Sequence, residues 1–506
     1  MTNSKTNSFR PKKIAKYPID FETIVYEKIL VADINDDKKD EIILIGNKTS
    51  ADNGIAEVLI YDQELKFLSK DAWNGDAMDV AIADVNGDLQ NEIIVSGRDR
   101  NPIIKIYKYK DGLKLISQFP LESPEDLYVT AKSIYVGDVD DDKNTEIVIL
   151  SIAERKDQSP GYAQLRIYST EMKLKNFTEW IPQNGFLIRW GHHLSVSDID
   201  CDGKYELIAL VNINYDGKRY SELHIFGYDL KVKYLYEHLN NKNMFATCMS
   251  VNDINGDGKP EIIIGGGISN GKLQEATDQI AIYDHKLNLI NEAQWRTFRH
   301  SWIWDIQSTD IDFDGDQEII TFGGTSMTGM DQSDANIIGE IAIRDGKTLE
   351  LKDLILWQTN PGEDTRPSKG VVFDNQIVVA TSKWSNGQNT SELELRLFDY
   401  KHEPNAIDDQ LKFIKACNDN DSETIADFAL PENDIFSAIA LEALALCGDN
   451  RSLETMGDLL RTTNRLLFLR DTQLLRKFNR RAVPQIRKAG FSIQNDWIII
   501  SPFDNT

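Results

Sequence analysis

The amino-acid sequence predicts a mainly β fold, a seven-bladed β-propeller with a small C-terminal α-helical domain. Three observations predict it. An acidic loop recurs six times, starting at Asp33, Asp84, Asp138, Asp198, Asp253 and Asp310, at intervals of 51 to 60 residues. Each loop runs directly into an apolar strand such as "EIILIG" or "EIIIGG". Each interval also holds a second repeat of the type "EVLIYDQELKFLSKDAW" or "QIAIYDHKLNLINEAQW". Its alternating β-branched and aromatic residues, broken by Asp, Gly and Lys, mark two hairpin-linked strands. With the apolar strand before the loop, every unit supplies four antiparallel strands, the content of one propeller blade.

Blades one to six follow in order from the six loops. The seventh is read from "VVFDNQIVVA", which keeps Asp374 but not the loop, with strands near 370–373, 376–381 and 392–400. A fourth strand is missing there. The N-terminal "KKIAKYPID", residues 12–20, closely matches "KLISQFPLE", residues 114–122, the fourth strand of blade two. Residues 12–20 are therefore expected to supply the outer strand of blade seven, joining the two ends of the ring and leaving no open sheet edge. The plan is a tail over residues 1–11, a propeller over 12–400 and helices over 401–506.

Alternate residues of a tight loop aim their oxygens at one centre, and three carboxylates so placed repel unless a cation lies between them. Positions 1, 3, 5 and 9 give the candidate metal ligands. They are Asp33, Asn35, Asp37 and Glu41; Asp84, Asn86, Asp88 and Glu92; Asp138, Asp140, Asp142 and Glu146; Asp198, Asp200, Asp202 and Glu206; Asp253, Asn255, Asp257 and Glu261; and Asp310, Asp312, Asp314 and Glu318. A DxDxDG loop feeding a strand, repeated at blade spacing, resembles the FG-GAP/VCBS repeat of integrin-α-type propellers over roughly residues 12–400. The resemblance implies that the loop joins the first and second strands of a blade and holds Ca²⁺, up to six ions here. Gly203, Gly258 and Gly315 occupy position 6, where the chain turns sharply, whereas Lys38, Leu89 and Lys143 stand there in the first three blades. Occupancy is therefore expected above all in blades four to six. The alternative is an Asx-turn ladder in which the aspartates cap backbone N–H groups.

The metal loops lie on one face of such a ring, and long polar loops, including 266–278 and 323–339, lie on the other. "IRWGHH" and "RTFRHSWIW" place Arg189, Trp190, His192, Arg299, His300 and Trp302 near the channel mouth on that second face, as candidate ligand contacts. Against this, Trp73, Trp180, Trp295 and Trp357 recur at the ends of fourth strands, which points to packing between blades.

After Tyr400 helical spacing takes over, with Ile435, Ile439, Ala443 and Leu446 on one stripe and Gly448 as a stop. These short helices resemble HEAT units. Residues 451–490 hold ten Lys/Arg and three Asp/Glu, suited to an acidic partner or to the propeller's own rim.

A formal charge of −25 speaks against nucleic acid and anionic membrane as partners. Four scattered cysteines suggest neither a disulfide framework nor a zinc site, and no run approaches the 18 apolar residues of a membrane span. With no apolar stretch behind the basic N-terminus, the chain is read as cytoplasmic, unconventional export being the alternative. HExxH and Walker-type phosphate-binding loops are absent from the sequence. The function expected is that of a non-catalytic Ca²⁺-binding scaffold for a protein partner. The alternatives are a lectin-like carbohydrate binder, or a propeller-type polysaccharide lyase or hydrolase.

Overall fold

A computed structural model describes residues 11–17, 23–49, 54–99, 101–124, 127–155, 161–182, 186–187, 191–215, 218–236, 244–268, 276–328, 337–358, 363–385, 388–402, 406–429, 434–459, 492–494 and 497–499. Seven antiparallel sheets form a seven-bladed β-propeller. Blade one comprises Thr23–Ala32, Glu41–Thr49, Gly54–Tyr61 and Phe67–Asn74, paired in that order, and blades two to six repeat the plan, except that the first strand of blade four is in two pieces, Phe186–Leu187 and His193–Ser197, both paired with Glu206–Tyr215. Blade seven is built from Glu363–Phe373, Gln376–Ser385 and Gln388–Asp399, and its outer strand is the N-terminal Lys13–Tyr17, which pairs antiparallel with Gln388–Asp399, Lys13 opposite Leu397 and Tyr17 opposite Leu393.

The two middle strands of each blade are sandwiched between neighbouring blades. Glu92–Arg98 is buried at every residue but the last, which is why these strands read as unbroken Ile, Leu and Val instead of alternating. One apolar cluster fills each junction around the ring, the last of them joining Val378, Leu393 and Leu397 of blade seven to Ile42, Leu44 and Leu59 of blade one. Tryptophans ending the fourth strands of blades one, three, five and six seal four of these junctions. Lys105 of blade two lies 5.0 Å from the Trp73 ring, Trp180 lies 4.8 Å from His224 of blade four, Arg344 of blade six 3.9 Å from Trp295, and Arg396 of blade seven 5.7 Å from Trp357.

Among the described residues four short helices follow: α1 (Ala406–Asp419), α2 (Ser422–Phe428), α3 (Asp434–Cys447) and α4 (Asn450–Leu459). Asp421 caps α2 by accepting the Thr424 N–H, and Gly448, at φ 63°, ends α3. Phe413, Ile439 and Leu444 pack on Phe298, Leu354 and Leu356 of blade six. Outer strands elsewhere alternate in exposure, but Leu351–Trp357 is buried from Asp353 onward because these helices cover it. Buried Gln358 donates to Glu442 at 2.9 Å, fastening α3 to the ring. Most of the basic stretch at 451–490 lies outside the described residues. Among the described residues no helix is long and apolar enough to cross a membrane.

Candidate functional site

All six acidic loops join the first and second strands of their blades, and all six share one hydrogen-bond plan. At position 1, Asp33, Asp84, Asp138, Asp198, Asp253 and Asp310 each accept the N–H of position 6 through Oδ2, at 2.8 to 3.0 Å. At position 5, Asp37, Asp88, Asp142, Asp202, Asp257 and Asp314 each accept the N–H two residues on. That bond holds Asp142 and Asp314 below the ordinary carboxylate range, with the neighbouring lysine helping. The turn at position 6 is left-handed in every copy: Lys38, Leu89 and Lys143 adopt φ of 66°, 67° and 70° where the other blades use Gly203, Gly258 and Gly315. The missing glycines leave the geometry of the first three loops unchanged.

Glu at position 9 is also tied into the loop by hydrogen bonds. Glu41, Glu92, Glu146, Glu206, Glu261 and Glu318 are each at most 4% exposed and lie beneath the loop. Their Oε2 atoms accept the N–H of position 2 at 3.1 to 3.2 Å. The other oxygen, Oε1, takes a side-chain donor, and here the copies divide. In blades one, two and five position 3 is Asn, and the Nδ2 of Asn35, Asn86 or Asn255 donates to Glu Oε1 at 2.8, 2.6 and 2.7 Å. In blades three, four and six position 3 is Asp, which cannot donate, and a lysine donates instead: Lys175 to Glu146 at 2.8 Å, Lys233 to Glu206 at 2.5 Å and Lys352 to Glu318 at 2.7 Å. The same ammonium bonds the Oδ2 of Asp140, Asp200 or Asp312.

These lysines come from one structural position, the bulge at the start of the fourth strand, where the register shifts in every one of the six blades. In the Asn blades the bulge residue is Leu68, Ile116 or Ile290. Lysine at the bulge therefore goes with Asp at position 3 in all six copies. The bonds to the carboxylates raise the ammonium pKa of all three lysines, outweighing burial where it opposes them. Sequence reasoning missed these lysines; the signal was the pairing of two positions across the copies. Blade two has an extra cation, Lys108 of its third strand, bonded to Asp88.

The donor set fits a hard cation. In blades three, four and six the oxygens of positions 1, 3 and 9 lie within 4.8 Å of one another, joined in blade three by Asp142. In blade three Asp138 Oδ1 and Asp140 Oδ1 are buried without a hydrogen-bond partner. Position 3, rather than the glycine at position 6, separates the copies. Blade three, with Lys143 at position 6, has the close-set oxygens, so they do not require a glycine there. In blade five burial pushes Glu261 up to about 6.

On the opposite face the proposed ligand contacts fare differently. Trp302 is 5% exposed and packs across Gly267, where an added Cβ would come within 2.7 Å of its ring. Its neighbours are Phe245, His300 and Trp304, and His300 is 2% exposed. His192, 5% exposed, faces the N–H of Asn212 through Nδ1. These three side chains are packing elements of the ring rather than an open ligand surface. Arg299 is exposed. Arg189 and Trp190, with residues 269–275 and 329–336 of the two long loops, lie outside the described residues.

No protein-family model matches the chain, and no curated protein matches it significantly. Among solved structures, the V. cholerae biofilm matrix protein Bap1 is similar at 12% identity, with 75% of this chain and 87% of that chain covered and a TM-score of 0.39. A neuraminidase-like protein of A/little yellow-shouldered bat/Guatemala is similar at 11% identity, with 63% and 96% covered and a TM-score of 0.37.

Proposed function

We propose that the chain is a non-catalytic, calcium-binding propeller that serves as a docking platform for another protein. The observation that carries the metal reading is the shared plan of the six loops. Positions 1, 3 and 5, with the buried Glu at position 9, supply the oxygens that would hold the ion, and this Glu with its Asn or Lys donor also braces the loop from below. Bound Ca²⁺ would neutralise carboxylates that otherwise repel. The bracing lysines compensate the extra carboxylate of the Asp loops, so both loop types carry the same net charge. The acidic side chains are thus engaged in holding the ring's own turns.

The docking reading is supported at the opposite face. There Arg296 and Arg299 are exposed beside a cleft of about 710 Å³ between blade six and the helices, lined also by Phe298, Asn418 and Leu446. A mixed lining of guanidinium, amide and apolar groups suits a polypeptide surface. The carbohydrate reading loses the rings of His300 and Trp302, which are buried.

Calcium should raise the melting temperature and chelator lower it, since a ligand that binds only the folded chain stabilises it by mass action. Metal analysis after dialysis against millimolar Ca²⁺ tests this directly, and fewer than one ion per chain would sink the metal reading. A partner captured by the wild type should be lost with Arg296→Glu and Arg299→Glu; capture unchanged by both would move the docking site elsewhere.

A further inference from the structure

The junction between blades two and three differs from its neighbours at one position. Trp73 stands opposite Ala56, Trp180 opposite Ala163, Trp295 opposite Asp278 and Trp357 opposite Gly339, and each ring then covers a residue of the following blade. In blade two the same register puts Leu121 there, its N–H bonded to Pro102 O at 2.8 Å. Leucine is too small to span the gap. Two adjoining hollows open on the flank of the ring, of about 680 and 420 Å³, sharing Glu122, Arg166 and Phe177.

The floor of this groove is the counterpart of what the tryptophans cover elsewhere. Arg166 occupies the third-strand position of Lys105 and Arg396, is 6% exposed, and is held by Glu122 O and Gln164 Oε1, both at 3.1 Å. No tryptophan reaches it from blade two. Among the described residues the rings found near it are those of its own blade: Tyr168, whose hydroxyl accepts from Arg166 Nη1 at 3.4 Å, and Phe177, at 5.6 Å and 41% exposed. Exposed carboxylates form the rim, Glu122 and Glu179 on one hollow and Glu171 on the other, and Arg166 is the only cation among the lining residues.

From this we infer that the groove between blades two and three binds an aromatic side chain, flanked by basic residues, of a partner polypeptide. The ring would take the place that tryptophan fills at the four junctions named above, lying over the Arg166 guanidinium and against Phe177. The glutamate rim favours neighbouring Lys or Arg and repels acidic ligands. The site lies on the flank of the ring, away from the loops and the helix-lined cleft, so it stands or falls independently of the function proposed above.

The probes are the peptides acetyl-Lys-Trp-Lys-amide and acetyl-Lys-Ala-Lys-amide, with maltohexaose as a sugar control, titrated calorimetrically into the full chain. The Trp peptide should bind at least tenfold more tightly than the Ala peptide. Leu121→Trp, which introduces the residue used at four other junctions, should weaken the Trp peptide at least tenfold without lowering the melting temperature. Phe177→Ala, an exposed position, should weaken it too and guards against a misfolded Leu121→Trp chain. Equal binding of the two peptides, no binding at millimolar peptide, or binding that survives both substitutions overturns the inference. So does maltohexaose binding that is lost in Leu121→Trp while the peptide fails to bind.

Discussion

Blades four and five hold the same loop, but each solves one problem in a different way. Both bury a glutamate beneath the loop and must give its Oε1 a donor. Blade five does so within the loop, through Asn255 Nδ2 to Glu261, and blade four brings in Lys233 from the outer strand, because Asp200 has no hydrogen to give. A local solution leaves the bulge free for Ile290, whereas a long-range one ties the outer strand to the loop. The comparison teaches that the unit of design is the buried carboxylate with its donor, and that the acidic loop is only its visible half.

The largest test of this contrast removes the donor. Lys233→Met leaves Glu206 buried with an unsatisfied oxygen beside Asp200, and should cost about 2 to 3 kcal/mol by urea unfolding in chelator. Adding Asp200→Asn converts the blade to the other type and should restore most of that loss; a double variant as unstable as the single one would break the pairing. The reverse change, Asn255→Asp, should destabilise blade five and be rescued by Ile290→Lys.

A smaller effect concerns pH. Glu261 is raised to about 6 in the folded chain by burial, against an ordinary value of 4.5. The folded state therefore binds its proton more readily than the unfolded one, and this group's contribution to stability grows as pH falls from 7.5 towards 5. In chelator the wild type should gain about 1 kcal/mol from this residue across that window, and Glu261→Gln should remove the gain. A pH profile identical in the two chains would show that Glu261 does not titrate there.

The smallest effect tests the turn. Leu89 holds φ of 67° and is 88% exposed, so Leu89→Gly should relieve left-handed strain and stabilise blade two by up to about 1 kcal/mol. The same substitution at the bulge, Leu68→Gly, should destabilise blade one, because Leu68 packs into the junction with blade two.

Much of the molecule was legible in the residues. Six loops, the apolar second strands and the hairpin repeats gave the blade count, because each is a local pattern of period two punctuated by turn residues. The match between residues 12–20 and 114–122 pointed to the N-terminal strand, whose residues 13–17 pair with Gln388–Asp399. What escaped was every feature whose partner lies in another element. Glu206 and Lys233 are 27 residues apart and look unrelated until the bulge brings them together. Trp302 and His300 read as a binding face because a tryptophan that stacks on a ligand and one that covers Gly267 of the blade before it are spelled alike.

The sequence by itself thus determined the repeat, the order of strands, the positions of the acidic loops and the helical character of the C-terminal region, all set by contacts between residues close along the chain. Only the tertiary structure decided which carboxylates are braced by asparagine and which by lysine, which tryptophans are sealed between blades, that Leu121 leaves one junction open, and that the helices cover blade six. The physical reason is that burial belongs to the neighbouring blade. A side chain's environment is set by residues some 50 positions away, and no spacing along one strand records what will be packed against it.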